Sequence, residues 1–149
     1  MTKKNSTMRM VTLGMFCAIS IILVYFIHFP IFPMVAFLEY DPADIPILIG
    51  TFAFGPAAGV LLTVVTSVLQ GITVSAGSGA YGIIMHILAT TTLTLVSGTI
   101  YRRHKTKKMA IVGLICGTIA MTAMMFAANL IITPLFMGVT REVVMSLMP

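Results

Sequence analysis

The sequence predicts an all-α membrane protein, a polytopic helical bundle with five spans. Of its 149 residues, 58% are hydrophobic and only 9% are charged, whereas a soluble domain carries roughly 25% charged residues. A chain so poor in charge cannot present a hydrated surface on all sides, so we expect most of its surface to face lipid. The apolar residues form four long runs, at positions 10–29, 45–74, 81–101 and 109–136.

The net charge of +5 does not indicate nucleic-acid binding. Eight of the nine Lys and Arg residues form two clusters at the ends of apolar runs, one at Lys3, Lys4 and Arg9 and the other in RRHKTKK at 102–108. Lys and Arg that flank spans are the usual signal for the cytoplasmic side of a membrane protein. We therefore expect a multi-pass protein of the cell membrane with no nucleic-acid partner.

The first apolar run, 10–29, is interpreted as an uncleaved helix. It follows basic residues, as a signal peptide does, but it is about as long as a full span of about 20 residues and no A-x-A cleavage site follows it.

The second run, 45–74, is too long for one span and short for two. It contains GPAAG at 55–59, where Gly-Pro and a second glycine favour a break. A hairpin places both basic clusters on the same side, as the positive-inside rule favours, and one span would place them on opposite sides. We therefore predict a cytoplasmic N-terminus and a short second helix that its neighbours must shelter. The predicted spans are about 10–29, 44–54, 57–74, 81–101 and 109–133.

Polar side chains are costly in lipid, so those inside the spans are expected to face the bundle interior. They recur every three or four residues, which places them on one face of each helix. Such faces also serve simply to pack helices together, but the amide of Asn129 suits the edge of a heterocyclic ligand. His86 is expected to be an interior histidine with its hydrogen bonds satisfied, and Cys17 and Cys116 to be buried free thiols. The polar stripes comprise Thr63, Ser67 and Gln70 in the third span, His86, Thr90, Thr94, Ser97 and Tyr101 in the fourth, and Thr118, Thr122, Asn129 and Thr133 in the fifth.

The segment FLEYDPADIP, at 37–46, contains three of the four acidic residues. Either Asp41 or Asp44 can cap the second helix. Capping does not explain Glu39 or the aromatic residues, which indicate a lid over a binding site. A D-x-x-D pair can also hold Mg²⁺ in membrane transferases, but too few further carboxylates are present, so we expect neither an enzyme nor a metal site. The G-x-G-x-x-G pattern at 77–82 follows a membrane helix rather than a strand, so it does not indicate a dinucleotide site.

The chain resembles the substrate-binding S component of an energy-coupling factor (ECF) vitamin transporter of the riboflavin type. The resemblance is carried by LEYDPADIPILIGTFAFGPAAG at 38–59, by the glycine-containing loop before the fourth helix, and by NLIITPLF at 129–136. It implies a six-helix protein that captures riboflavin outside, docks on a membrane scaffold subunit with two cytoplasmic ATPase subunits, and tips over to release the vitamin. Riboflavin is then a transported ligand, and no cofactor is expected.

The resemblance also implies which residues serve each role. A small-x-x-x-small pair, Gly14 and Ala18, replaces the family's Ala-x-x-x-Ala docking pattern on the first helix. The family's sixth helix, which adds an asparagine and a lysine to the ligand site, has no counterpart before Pro149, and we expect a truncated or partial chain. The implied ligand contacts are Leu38, Glu39, Tyr40, Asp41, Gly79, Ala80, Asn129 and Thr133.

Three alternatives remain open at the level of sequence. The first is an S component for another vitamin or a flavin-like compound. The second is a membrane-embedded transferase that uses Asp41 and Asp44, and the third is an assembly subunit without a ligand.

Overall fold

The computed structural model describes residues 3–27, 41–74 and 79–138. This part of the chain contains five helices and no strand, so the all-α prediction is confirmed. The helices are α1 (Lys3–Phe26), α2 (Asp44–Phe54), α3 (Pro56–Ile72), α4 (Gly79–Arg103) and α5 (Lys107–Met137).

Three of these helices are long and apolar enough to cross a membrane, over Ser6–Phe26, Gly79–Arg103 and Lys107–Ile132. The other two, α2 with 11 residues and α3 with 17, are apolar but shorter. The short α2 contacts α1, α3 and α4, and Ile47 in its first half is fully buried. Its neighbours therefore shelter it, as the sequence led us to expect.

The second apolar run is divided at Gly55. This residue has a φ of 97° and a ψ of 169°, a backbone conformation that a residue with a Cβ rarely adopts. Its N–H donates to the carbonyl of Thr51 at 2.8 Å and thereby closes α2. Pro56 then begins α3, where the missing N–H of a proline costs no helical hydrogen bond. A Cβ placed on Gly59 would collide with the side chain of Thr51, so the two helices are in close contact just beyond the break.

The polar faces of α3 and α4 point into the bundle, as predicted. Several hydroxyl groups on these faces donate to a carbonyl in the preceding turn of their own helix. For example, Ser97 donates to the carbonyl of Leu93 at 2.6 Å. The buried polar residues on these two helices are Thr63, Thr66, Ser67, Gln70, Thr90, Thr94 and Ser97.

The polar face of α5 departs from the prediction. Among the described helices α5 contacts α4 alone, against which Gly113 and Gly117 pack closely. Thr118 and Thr122 lie on the open side, where they are exposed and donate to carbonyls of their own helix at 2.9 Å. Within the described part of the chain, these two residues therefore do not face the bundle interior as expected. The expectation of buried thiols is wrong for Cys116, which is exposed on the same helix.

The bundle has two chemically distinct ends. At the basic end, the guanidinium Nη2 of Arg9 donates to the carbonyl of Phe54 at 3.5 Å, and the α4–α5 connection lies nearby. At the opposite end, which we call the acidic end, the turn before α2 meets the last turns of α3 and the first turns of α4. The candidate site lies at the acidic end.

Candidate ligand-binding site

A cluster of three ionisable side chains lies at the acidic end. His86 of α4 stands between two carboxylates, with its Nε2 3.0 Å from Oδ2 of Asp41 and 3.9 Å from Oδ1 of Asp44. All three side chains are mostly buried. Ionisable groups in a chain that lies largely in lipid are expected to pair with one another, and such pairs often mark functional sites.

The turn at 41–43 sets the positions of the two aspartates. Oδ1 of Asp41 accepts the N–H of Ala43 at 2.9 Å, and Ser20 of α1 donates its hydroxyl to the carbonyl of Ala43 at 3.2 Å. Helix α2 begins at Asp44. If Asp41 were the N-cap, the helix would begin two residues earlier, at Pro42. The residue that precedes α2 is Ala43, and no side chain makes a capping hydrogen bond there. Neither aspartate is therefore the N-cap, although Asp41 accepts the N–H of Ala43 and Asp44 lies in the first turn of α2.

Three further side chains complete the cluster. Nε2 of Gln70 donates to Oδ2 of Asp41 at 2.7 Å, and Oγ1 of Thr90 donates to Oδ1 of Asp44 at 2.8 Å. Oγ of Ser67 lies 2.6 Å from Nδ1 of His86. Hydrogen bonds to a charged acceptor are the stronger class, so these contacts tie the turn before α2 firmly to α3 and α4.

The proton inventory of His86 follows from these contacts. Nε2 faces a carboxylate oxygen and therefore carries a proton. The hydroxyl of Ser67 has a single proton and two neighbouring acceptors, Nδ1 of His86 and the carbonyl of Thr63 at 2.6 Å. When that proton points to Thr63, the ring must donate from Nδ1 as well and is positively charged, and when it points to the ring, His86 is neutral.

The surroundings of Asp41 favour its ionised form. Burial, the largest single influence, would raise the pKa of this carboxyl group, but the hydrogen bond and the electrostatic attraction to His86 oppose it. Hydrogen bonds from Gln70 and from the N–H of Ala43 act in the same direction, so the pKa of Asp41 lies below its ordinary value. Its two oxygens thus accept three hydrogen bonds from the protein, which hold the Asp41 side chain in place.

A second polar contact links α4 to α5. The hydroxyl of Tyr81 donates to Oδ1 of Asn129 at 3.2 Å, which fixes the plane of the Asn129 amide. Gly79, with a φ of 56°, begins α4 just before Tyr81, and Ala80 beside it is exposed. The backbone at this helix start is therefore open to a ligand.

The sequence-predicted ligand contacts divide into two groups. Asp41, Gly79, Ala80 and Asn129 all lie at the acidic end, although Asp41 is engaged by the protein itself. Leu38, Glu39 and Tyr40 lie outside the described residues, as does the side chain of Thr133.

Sequence reasoning missed two partners of the site, Thr90 as the donor to Asp44 and Tyr81 as the donor to Asn129. One signal was available for the first. A carboxylate in so apolar a chain needs donors from its neighbours, and Thr90 lies one helical turn from His86 on the same face.

The chemistry offered at the acidic end is that of hydrogen bonding. Asn129 presents an amide, and the start of α4 presents backbone groups. Oε1 of Gln70 is buried without a partner among the described residues, whereas most buried acceptors have one. Such a set suits an uncharged ligand with both donors and acceptors.

Comparisons with known proteins agree with this reading of the fold. The family model described as ECF transporter, substrate-specific component, matches residues 8–148. The riboflavin transporter RibU of Staphylococcus aureus (strain TCH60) is 35% identical over 129 residues, which cover 86% of this chain and 67% of the relative. The riboflavin transporter FmnP of Bacillus subtilis (strain 168) is 27% identical over 83% of this chain and 65% of the relative.

A solved structure, described as that of the S component of a bacterial ECF transporter, matches with a TM-score of 0.77 and 33% identity. The match covers 88% of this chain and 77% of that one. This chain spans about two thirds of the length of the two curated relatives. Its apolar helices and its match to the transporter family model make it an integral membrane protein. The chain belongs to the family of substrate-specific components, or S components, of ECF transporters.

Proposed function

We propose that this chain is the riboflavin-binding S component of an ECF importer. The observation that carries the proposal is its 35% identity to a relative named as a riboflavin transporter, over 86% of the chain. Other relatives with the same name, such as RibU of Lactococcus lactis subsp. cremoris (strain NZ9000), are 28% identical over 84% of the chain.

The acidic end supports this ligand on chemical grounds. Riboflavin has a pyrimidine edge with donors and acceptors, an apolar dimethylbenzene edge and a polyol tail. The amide of Asn129 matches the pyrimidine edge, and the backbone at Gly79 and Ala80 offers further hydrogen bonds. Leu38, Glu39, Tyr40 and Thr133 complete the proposed contacts, while Asp41 holds the loop that bears the first three.

We further propose that the protein lies in the cell membrane with a cytoplasmic N-terminus, because both basic clusters then face the cytoplasm. The acidic end then faces outward and receives the vitamin. Import requires a membrane scaffold subunit and two ATPase subunits. Gly14 and Ala18 are both exposed on α1, and a Cβ added at Gly14 would meet no atom within 4 Å. A small, open helix face of this kind supports close docking of another membrane helix.

On this proposal the protein carries out no catalysis. A transferase that used Asp41 and Asp44 would need both carboxylates for a metal, whereas each accepts a hydrogen bond from a neighbouring helix. A transferase would also depend on added Mg²⁺, and vitamin binding should not.

The test is a titration of the detergent-purified chain with riboflavin, followed by quenching of flavin fluorescence. We expect saturable quenching at a stoichiometry of one, unaffected by EDTA and by an excess of thiamine or biotin. No quenching with riboflavin, but a thermal shift with another vitamin, would favour an S component of different specificity. No response to any vitamin would contradict the proposal.

A further inference from the structure

We propose that a cavity at the basic end binds a phosphate-bearing anion, namely the headgroup of an anionic phospholipid. The cavity encloses about 340 Å³ between α1, the α2–α3 break and the end of α4. This volume lies within the usual range for small-molecule sites. It lies at the opposite end of the bundle from the proposed vitamin site and does not depend on the identity of the vitamin.

Three cationic side chains from separate parts of the chain line this cavity. They are Arg9 in α1, Arg102 in the last turn of α4, and Lys105 in the connection to α5. Arg9 is held in place, because its guanidinium donates to the carbonyl of Phe54 and lies 5.9 Å from the centre of the Phe54 ring. Arginine forks match phosphate oxygens in geometry as well as in charge.

The positive charge of the cavity is not neutralised by the described part of the chain. The ion pairs in the described part of the chain join His86 to Asp41 and Asp44, which lie at the other end of the bundle from this cavity. No described carboxylate lines the cavity. Three cations around one concave space therefore present an uncompensated field to an anion.

The lining and its surroundings suit a lipid headgroup in particular. Apolar groups of Phe52, Pro56 and Tyr101 share the wall with the three cations. Next to Arg9, the side chains of Met10 and Val11 are 71% and 60% exposed, which offers an apolar surface for acyl chains. Basic pockets between membrane helices are a known type of site for anionic lipid headgroups.

The positive-inside rule alone does not account for this convergence. It accounts equally for Arg103, Lys107 and Lys108, which lie in the same basic segment. Those residues are exposed and do not line the cavity. They therefore provide matched controls, since each removes the same charge from the same segment.

The experiment is native mass spectrometry of the detergent-purified chain, titrated with phosphatidylglycerol and separately with phosphatidylcholine. We expect retention of phosphatidylglycerol over phosphatidylcholine. Arg102→Gln and Lys105→Gln should each weaken phosphatidylglycerol binding by roughly tenfold, the usual effect of losing one charged hydrogen bond. Arg103→Gln and Lys108→Gln should leave it nearly unchanged. All four residues are exposed, so the variants are expected to fold.

A second arm separates the two sources of phosphate. Inorganic phosphate is added at increasing concentration, and the melting temperature of the parent and of Arg102→Gln is followed with chloride at matched ionic strength. Weak phosphate stabilisation lost in Arg102→Gln, together with strong phosphatidylglycerol retention, supports a headgroup site. Phosphate stabilisation without phosphatidylglycerol retention supports the anion site but assigns it to a soluble phosphate. Equal losses in the Arg102 and Arg103 variants, or no response to either probe, would overturn the proposal.

Discussion

Replacing Thr90 by valine tests how the acidic cluster contributes to stability. Valine nearly matches threonine in shape, so the change removes little more than the hydroxyl group. That hydroxyl donates to Oδ1 of Asp44 at 2.8 Å, and Thr90 is fully buried. After the change, His86 remains near that oxygen, but its Nε2 is 3.9 Å away, beyond hydrogen-bond distance.

The magnitude follows from the type of hydrogen bond. Removing the donor to a buried acceptor costs about 1–3 kcal/mol, whereas hydrogen bonds between membrane helices average about 0.6 kcal/mol and reach about 1.7. We therefore expect Thr90→Val to lower the free energy of unfolding by about 1.5 kcal/mol, where the two ranges meet.

Thr92→Val is the matched control on the same helix. The hydroxyl of Thr92 donates at 2.7 Å to the carbonyl of Leu88, in its own preceding turn, and Thr92 is only partly buried. We expect a change within about 0.5 kcal/mol. The assay is reversible unfolding of both variants in mixed detergent micelles, with denaturing detergent as the perturbant. Equal losses for the two variants, or no loss for Thr90→Val, would refute the view that Asp44 depends on a donor from α4.

Three further predictions concern the ligand, the partner and pH. Tyr81→Phe removes the donor to Asn129 and should weaken riboflavin binding by roughly fivefold, as for one neutral hydrogen bond; unchanged quenching curves would show that the amide needs no support. Gly14→Leu should leave the melting temperature of the isolated chain unchanged, because the position is open, but should reduce co-purification with the scaffold subunit. Ala127→Leu, at an exposed site on α5, is the control, and equal co-purification of both variants would remove the proposed docking face. The lowered pKa of Asp41 makes the folded state lose stability as pH falls from the ordinary value of 3.8 through the lowered one. Between about pH 5 and pH 3, the melting temperature should therefore fall less steeply with pH for Asp41→Asn than for the parent. Equal slopes for the two proteins would contradict the lowered pKa of Asp41.

Much of the fold was predictable from local patterns in the sequence. Gly-Pro punctuation marked the division of the second apolar run, and the structure places it at Gly55 between α2 and α3. The inward orientation of the polar stripes on α3 and α4 was predictable, because each of these helices is packed against three others and its polar face is covered. The stripe on α5 was not, because α4 is the only described helix that contacts α5, and Thr118 and Thr122 can be exposed since their hydroxyl groups bond their own helix. Helical periodicity shows that residues share a face, but not whether another helix covers that face.

The pairings within the site were less accessible to sequence reasoning. Asp41 and Asn129 were singled out by their residue types. Two pairings in the site were not predicted, because Thr90 is 46 residues from its partner Asp44 and Tyr81 is 48 residues from its partner Asn129. Contacts over such separations depend on the relative rotation and height of whole helices, which one sequence does not fix. The same reason explains why the basic segment was read as a topology signal, although two of its residues line a cavity with Arg9.

The central claim, that Asn129 recognises riboflavin at the acidic end, is tested most directly by one paired titration. Riboflavin fluorescence quenching is measured on the parent chain and on Asn129→Ala, after both have shown similar melting temperatures without ligand. The account predicts saturable binding to the parent and weakening by roughly tenfold or more in the variant, because a planar amide that bonds a heterocycle edge is lost. Equally tight binding to both chains would contradict it.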